Sequence, residues 1–220
     1  PVVPQGFDNV TTGVQGQEQN GKPYFKPGNE AVPIDYDKPA TLLDPETKQP
    51  VPSNELPAKD PEGNVIGKYT LDPTTGVVKF TPIDKSYVGP VQPVTVQRVD
   101  KNNTPATADY TPVIVGVKPT AKPAESTDVQ GATQKQPITF KGGTADLEDP
   151  VGNPIKSDPV PINPGSVTLV GEDGQPTDEV EVKDPKDPTK VIGKYTLVKE
   201  EGKDPVAVYT PTDKTYVGSV

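Results

Sequence analysis

The sequence predicts an all-β fold: tandem antiparallel β-sandwiches, Ig-like in kind, with long Pro-rich loops. Three observations predict it. The 220 residues include 30 prolines and are only 30% hydrophobic. Proline locks φ and donates no N–H, so long helices are disfavoured, and no stretch between the prolines keeps the i, i+3, i+4, i+7 apolar spacing of a packed helix. Where apolar residues gather they alternate with polar ones, the period-2 mark of a half-buried strand. Finally, a domain-length stretch of sequence occurs twice.

The repeat supplies the frame. "KFTPIDKSYVG" at 79–89 returns as "VYTPTDKTYVG" at 208–218, and "VIGKYTL" at 65–71 returns unchanged at 191–197. Upstream, "GVQGQEQNGKPYFKPG" (13–28) matches "DVQGATQKQPITFKGG" (128–143), with Phe25 opposite Phe140. The offset between copies grows from 115 to 126 to 129 along the chain. Copy 2 therefore carries insertions, expected in loops, where added length costs little. The Pro-bearing stretch "VKPTAKPAEST" (117–127) reads as a semi-rigid linker. The expected division is residues 1–6 as the tail of a preceding repeat, 7–118 as repeat 1 and 119–220 as repeat 2. Copy 2 stops where copy 1 continues with "PVQPVTVQRVDKNNTPATADYTPVIVGV" (90–117), so repeat 2 is expected to be incomplete at its C-terminus. With Pro at position 1 and no Met, the chain reads as a segment of a longer polypeptide.

Within copy 1 the strand signal is clearest near the middle. Tyr69 and Leu71 alternate with Lys68 and Thr70, and beyond the turn "DPTTG" Val78 and Phe80 alternate with Lys79 and Thr81. That is a β-hairpin pattern. Residues 93–100 and 106–117 form a second predicted hairpin around "KNNTP", with Ala108 and Tyr110 inward and Thr107, Asp109 and Thr111 outward. "PYFKP" (23–27) and "ATLLD" (40–44) are further strands, and 44–64 reads as a loop of Pro and charge. Tyr69, Phe80 and Tyr110 are the expected core anchors of copy 1. Tyr195 and Tyr209 are expected to anchor copy 2, since they occupy the matched positions.

The composition excludes much chemistry. There is no His and no Cys, which removes Ser-His-Asp catalysis, disulfide stapling and the usual transition-metal ligands. A formal charge of −9 disfavours nucleic-acid backbones, and no run of 18 apolar residues exists to span a membrane. "GQEQNGKP" (16–23) fits a phosphate loop only up to its Lys. Pro23 stands where Ser or Thr is needed to hold Mg²⁺, so a polar loop is the better reading. "DYD" (35–37), "DKNN" (100–103) and "DLED" (146–149) could offer oxygens to calcium, but Asp and Asn are also what turns require. A Lys–Asn isopeptide crosslink would need a buried Lys, Asn and acid together, and Lys22, Lys26 and Asn102 are the residues considered. Solvated polar side chains are the favoured reading. No catalytic, cofactor-binding or metal-binding residue is assigned, no cofactor is expected, and the chain is not expected to be an enzyme.

The set "VQG…Q…F", "GKYTL…G…FTP…K.YVG" and "PVTVQRVDKNNTPATADYTPVI" resembles the fibril repeats of CshA-type streptococcal cell-surface adhesins. The resemblance spans copy 1 and about three-quarters of copy 2. It implies a long, cell-wall-anchored fibril of tandem β-domains on a Gram-positive surface. The repeats would hold an adhesive region away from the cell, serving host adhesion and biofilm. It implies partners too: neighbouring repeats of the same polypeptide and, for the whole protein, host extracellular-matrix proteins or other bacteria. Two rival readings are an adhesive module that itself grips a host protein or glycan, and a partly disordered spacer. Binding loops should show exposed aromatics or Arg, whereas the one Arg, Arg98, falls on a predicted strand.

Overall fold

The computed structural model describes residues 2–149 and 151–220. By the density of its contacts the chain divides into two compact units, Pro1–Val117 with Thr144–Val160, and Lys118–Gly143 with Pro161–Val220.

The first unit contains β1 (Gln5–Phe7), β2 (Asn9–Val14), β3 (Gln19–Gly21), β4 (Tyr24–Lys26), β5 (Thr41–Leu43), β6 (Glu55–Lys59), β7 (Val65–Leu71), β8 (Val78–Pro82), β9 (Val94–Val99) and β10 (Pro105–Val115). They form two four-stranded sheets, β3-β8-β7-β6 and β2-β10-β9-β5, and a short β1-β4 pair. Both predicted hairpins are present. β7 pairs antiparallel with β8, placing Tyr69 opposite Phe80, and β9 pairs antiparallel with β10, placing Val96 opposite Ala108. Gln5 and Gly6, read from sequence as the end of a preceding copy's tail at 1–6, form β1 together with Phe7 and pair with β4.

One apolar layer joins the two large sheets. Ala58, Tyr69, Leu71, Val78 and Phe80 come from one; Leu42, Val94, Val96, Ala108 and Tyr110 come from the other. This face-to-face arrangement is a β-sandwich. Tyr69 contacts both other anchors: its ring centroid lies 6.0 Å from Phe80 and 6.2 Å, edge-on, from Tyr110. Its buried hydroxyl donates to the Gln92 carbonyl at 2.6 Å, and burial pushes its pKa up.

The stretch 44–64, read from sequence as loop, contains β6. Its Pro57 hid the strand from a pattern search. β6 is an edge strand of its sheet, and an edge is where a residue without an N–H does least harm to the ladder.

Downstream come β11 (Thr120–Ala121), β12 (Gln134–Pro137), β13 (Phe140–Lys141), β14 (Asp146–Glu148), β15 (Pro154–Lys156), one 3-10 turn at Pro164–Ser166, β16 (Leu169–Val170), β17 (Pro176–Thr177), β18 (Glu179–Asp184), β19 (Asp187–Val198) and β20 (Val206–Pro211). β14 and β15 form a hairpin belonging to the first unit. The second unit is built on one four-stranded antiparallel sheet, β12-β20-β19-β18, with the small pairs β11-β13 and β16-β17.

That sheet reproduces β3-β8-β7-β6 residue by residue. Gln19 faces Phe80 in the first unit, and Gln134 faces Tyr209 in the second. Gly67 faces Pro82, as Gly193 faces Pro211. Even the register shift after Ala58 recurs after Val182. Among the described residues, however, the second unit has no counterpart of the β2-β10-β9-β5 sheet. Its aromatic pair survives, with Tyr195 and Tyr209 centroids 5.5 Å apart. The expectation that these two tyrosines anchor a closed core is corrected: both are only half-buried, as is Leu197. Their face of the sheet lacks the second layer that covers Tyr69, Leu71 and Phe80.

The contrast predicts unequal mutational costs. Phe80→Ala should destabilise the first unit by ~3–5 kcal/mol, the usual range for a buried aromatic. Tyr209→Ala should cost the second unit less than about half of that, because less contact is lost. Urea unfolding followed by residue-resolved hydrogen exchange on each variant of the full chain measures both.

Candidate functional site

The feature of the fold with a mechanical consequence is the pairing of β2 with β10. β2 lies parallel to β10 over six residue pairs, from Asn9–Tyr110 to Val14–Val115. Among the described residues it is the one parallel pairing of named strands. The chain enters at one end of this pair and leaves at the other. Tension applied between the segment entering β2 and the segment leaving β10 therefore runs along both strands and shears their hydrogen bonds together. β10 manages both partners by dividing its length: residues 105–110 pair with β9 and 110–115 with β2. Pro112 lies in the second part, beyond the last β9 partner, so its missing N–H breaks no β9–β10 bond.

A side-chain network reinforces the pairing. Thr11 Oγ1 donates to Gln19 Oε1 at 2.7 Å. The Tyr110 hydroxyl donates in turn to Thr11 Oγ1 at 2.5 Å, since the threonine proton is already committed. Gln19, 6% exposed, donates from Nε2 to the Val113 carbonyl at 3.0 Å. Beyond the strands, the Gln15 amide donates to the Val115 carbonyl at 3.0 Å, and Gln15 Oε1 accepts from the Val117 amide at 3.2 Å. β3 is thus tied through Gln19 to both β2 and β10. The Tyr110 ring fits because residue 21 is glycine: a Cβ there would lie 2.0 Å from the ring. Sequence reading found Tyr110 but missed Thr11, Gln19 and Val113. The β-branched run "NVTTGV" does signal a strand, but nothing local says that its partner lies 99 residues away.

The acidic residues weighed from sequence for bound ions have ordinary partners, and the residues weighed for a crosslink do not meet. Asp35 and Asp37 both accept from Lys101 Nζ, at 2.7 and 2.8 Å, so the cation between them is a lysine. Asp100 caps its own turn, accepting the amides of Asn102 and Thr104 at 2.9 and 2.8 Å. Asp149 does the same with Val151 and Asn153. Lys26 Nζ sits over the Phe7 and Tyr24 rings at 5.5 and 5.7 Å, far from the role considered for it with Lys22 and Asn102. The Lys–Asn pair that does meet is Lys38 with Asn103, both exposed, Lys38 donating to Asn103 Oδ1. Segment 16–23 is a turn through Gly16 (φ 76°) leading into β3. Among the described residues no group of three His, Cys, Asp or Glu side chains is placed to hold a metal ion. Arg98 is buried and donates to the Lys38 and Thr74 carbonyls, both at 3.2 Å, with its guanidinium 5.0 Å from the Tyr36 ring centre. It fastens two loops to β9.

The Asp35–Lys101 contact gives a pH signature. The Lys101 hydrogen bond, opposed by burial, holds the Asp35 pKa below its usual value, and the same contact raises that of Lys101. A depressed carboxylate contributes stability that is present above the unfolded value of about 4 and is lost as pH falls through the folded one. The raised lysine contributes below its unfolded value of about 10.4 and is lost above that. Lys101→Met should therefore flatten the acid limb of the stability curve of the first unit below about pH 4. Urea midpoints between pH 2 and 7 for the two proteins check this.

The sequence matches the family described as surface adhesin CshA repetitive domain twice, over residues 1–114 and 116–220. No curated protein matches. Among solved structures, similarity is found to titin domains z1z2 in complex with telethonin, at 9% identity over 97% of this chain and 82% of that one, TM-score 0.39. The N-terminal eight Ig domains of Down Syndrome Cell Adhesion Molecule match at 10% identity over 98% and 24%, TM-score 0.31. The Ig1-2 module of Drosophila receptor protein tyrosine phosphatase DLAR matches at 11% over 95% and 97%, TM-score 0.26. No helix among the described residues is long and apolar enough to cross a membrane. Two successive matches cover essentially the whole chain, and they coincide with the internal repeat and with the sheet whose register recurs. The chain belongs to the surface adhesin CshA repetitive-domain family, as two tandem repeats.

Proposed function

We propose that this chain is a stretch of the stalk of a cell-wall-anchored surface fibril, in which tandem β-domains carry an adhesive region outward and withstand pulling once it is attached. Residues 7–118 and 119–220 are the links, joined through the Pro-bearing stretch at 117–127. The observation that carries this reading is the parallel β2–β10 register. It places the segments entering β2 and leaving β10 in shear, where bonds must break together rather than in sequence. Resistance to extension is a matter of unfolding rate, and a cooperative shear step keeps that rate low. The excess of acidic residues, 31 against 22 basic, keeps neighbouring fibres soluble and apart. The absence of Cys and Met leaves no sulfur to oxidise at an exposed surface. A cell-wall-anchored fibril stalk of this kind has no catalytic role, needs no cofactor, and meets host matrix proteins or other bacteria only through the rest of the polypeptide.

A second reading, in which the repeat itself grips a host protein or glycan, draws on one observation. Phe7 and Tyr24 form an exposed ring pair, 5.7 Å between centroids, with Lys26 above both. Exposed aromatics of this sort are common at binding surfaces.

Single-molecule pulling separates shear from peeling. The chain has no native cysteine, so introduced cysteines give unique handles. Pulled between the segments entering β2 and leaving β10, the first unit should unfold in one event. Pulled through Thr12 and Val113, which face each other across the pair, the same strands should peel apart at a severalfold lower force. Equal forces in the two geometries would remove the shear argument.

A further inference from the structure

The two faces of the short β1–β4 ribbon are built differently. Strand alternation puts Gly6 and Phe25 on one face and Gln5, Phe7, Tyr24 and Lys26 on the other. The first face is packed inward. Phe25 is buried, and just beyond it a Cβ on Gly28 would lie 2.3 Å from the Val3 carbonyl oxygen. This construction recurs in the second unit at the offset of 115. Thr120 and Ala121 pair with Lys141 and Phe140 as Gln5 and Gly6 pair with Lys26 and Phe25. A Cβ on Gly143 would likewise lie 2.5 Å from the Lys118 carbonyl oxygen. The outward face does not recur. Gln5, Phe7 and Tyr24 give way to Thr120, Lys122 and Thr139, and the lysine alone is kept, as Lys141. The ribbon therefore forms without outward rings, and the fold does not account for those of the first unit.

In the first unit that outward face is a small platform. The register sets Phe7 opposite Tyr24 and Gln5 opposite Lys26. The rings are 41% and 56% exposed, 5.7 Å apart and tilted by 40°. Lys26 Nζ stands over both, at 5.5 and 5.7 Å from their centres. Among the described residues it forms no ion pair. The exposed Gln5 adds a carboxamide with two donors and an acceptor. Three residues per strand make the platform about 10 Å long. A stable protein partner takes about 20–30 residues of surface a side, far more than four side chains supply. One or two sugar rings fit. The C–H face of a pyranose packs on an aromatic ring, its hydroxyls bond to a carboxamide, and a carboxylate on it pairs with an ammonium. The net charge of −9 opposes an anion at long range, but that field is screened beyond about 8 Å at physiological salt. We infer that Gln5, Phe7, Tyr24 and Lys26 form a binding site for a carboxylated pyranose, a uronic or sialic acid unit of a glycan. This rests on the second reading above, in which the repeat itself grips a host ligand, and names the class of that ligand.

The probes are a glucuronic acid-containing disaccharide, sialyllactose, lactose as the neutral control and a short Glu-rich peptide. Each is titrated into the full 220-residue chain while backbone and ring NMR shifts are read. At least one acidic sugar should give saturable shifts at residues 5–7 and 24–26, with a Kd of about 1 mM. The matched residues 120–122 and 139–141 should stay silent, and the tighter of the two sugars identifies the source of the carboxylate. Lactose should bind about tenfold more weakly, and about 0.5 M salt should narrow that gap. Lys26→Gln should remove the preference for the acidic sugar. Phe7→Lys and Tyr24→Thr install the residues that the second unit carries in the same ribbon, so folding is kept. Each should weaken the acidic sugar about tenfold or more. Equal affinity for lactose, or an unchanged preference in Lys26→Gln, overturns the acidic class. Full binding by Phe7→Lys and Tyr24→Thr overturns the platform. Tighter binding of the peptide overturns the sugar and leaves the second reading in place. Silence toward sugars and peptide alike overturns the site and removes the observation on which the second reading draws.

Discussion

The ring of Tyr110 has to satisfy two sheets at once. It leaves β10 to fill the layer against Tyr69, presses on the bare backbone of Gly21 in β3, and ends in a hydroxyl bonded to Thr11 of β2. Apolar burial fixes the ring, and the buried hydroxyl must then find a partner or carry the cost of lost hydration. That partner is the residue that also orients Gln19, whose amide reaches back to β10 at Val113. The closing of the sandwich and the pairing of β2 with β10 are therefore one event. A side chain of different length at position 110 would uncouple them.

This coupling explains how a domain so poor in apolar residues holds together. The first unit has no disulfide and a core made of Ala, Val, Ile, Leu and four aromatic rings. Small residues let the sheets approach, and each ring buries a large area. What the core lacks is made up by polar groups with defined partners: Arg98 across two loops, Asp35 with Lys101, and Asp60 closing its turn on Asn64. Each such bond contributes modestly, but each also removes an alternative conformation from a Pro-rich loop. The result suits a surface adhesin repeat, whose loops are exposed.

The second unit shows the same β-sheet grammar under different conditions. Its strands keep register with those of the first, down to the shifted pairing after Val182. Register therefore comes from within the sheet, from turn geometry and from the Gly193–Tyr209 and Tyr195–Tyr209 contacts. Burial does not. Tyr195 and Tyr209 have the right neighbours in their own sheet and still remain half-exposed, because burial of a sheet face is a property of two layers.

The sequence by itself determined the class of fold, the tandem repeat and both hairpins, and it named Tyr69, Phe80 and Tyr110 as anchors. These are local matters: period-2 alternation, turn residues and the conformational limits of proline act within a few residues of each other. It also exposed the family, through phrases such as "GKYTL" and "YVG" that recur in order. Only the tertiary structure decided the parallel union of β2 with β10, the edge strand hidden around Pro57, the lysine between Asp35 and Asp37, and the exposure of Tyr195 and Tyr209. Each depends on what a residue meets from a distant part of the chain. Alternation says that a strand has an apolar face, but the covering layer decides whether that face becomes core.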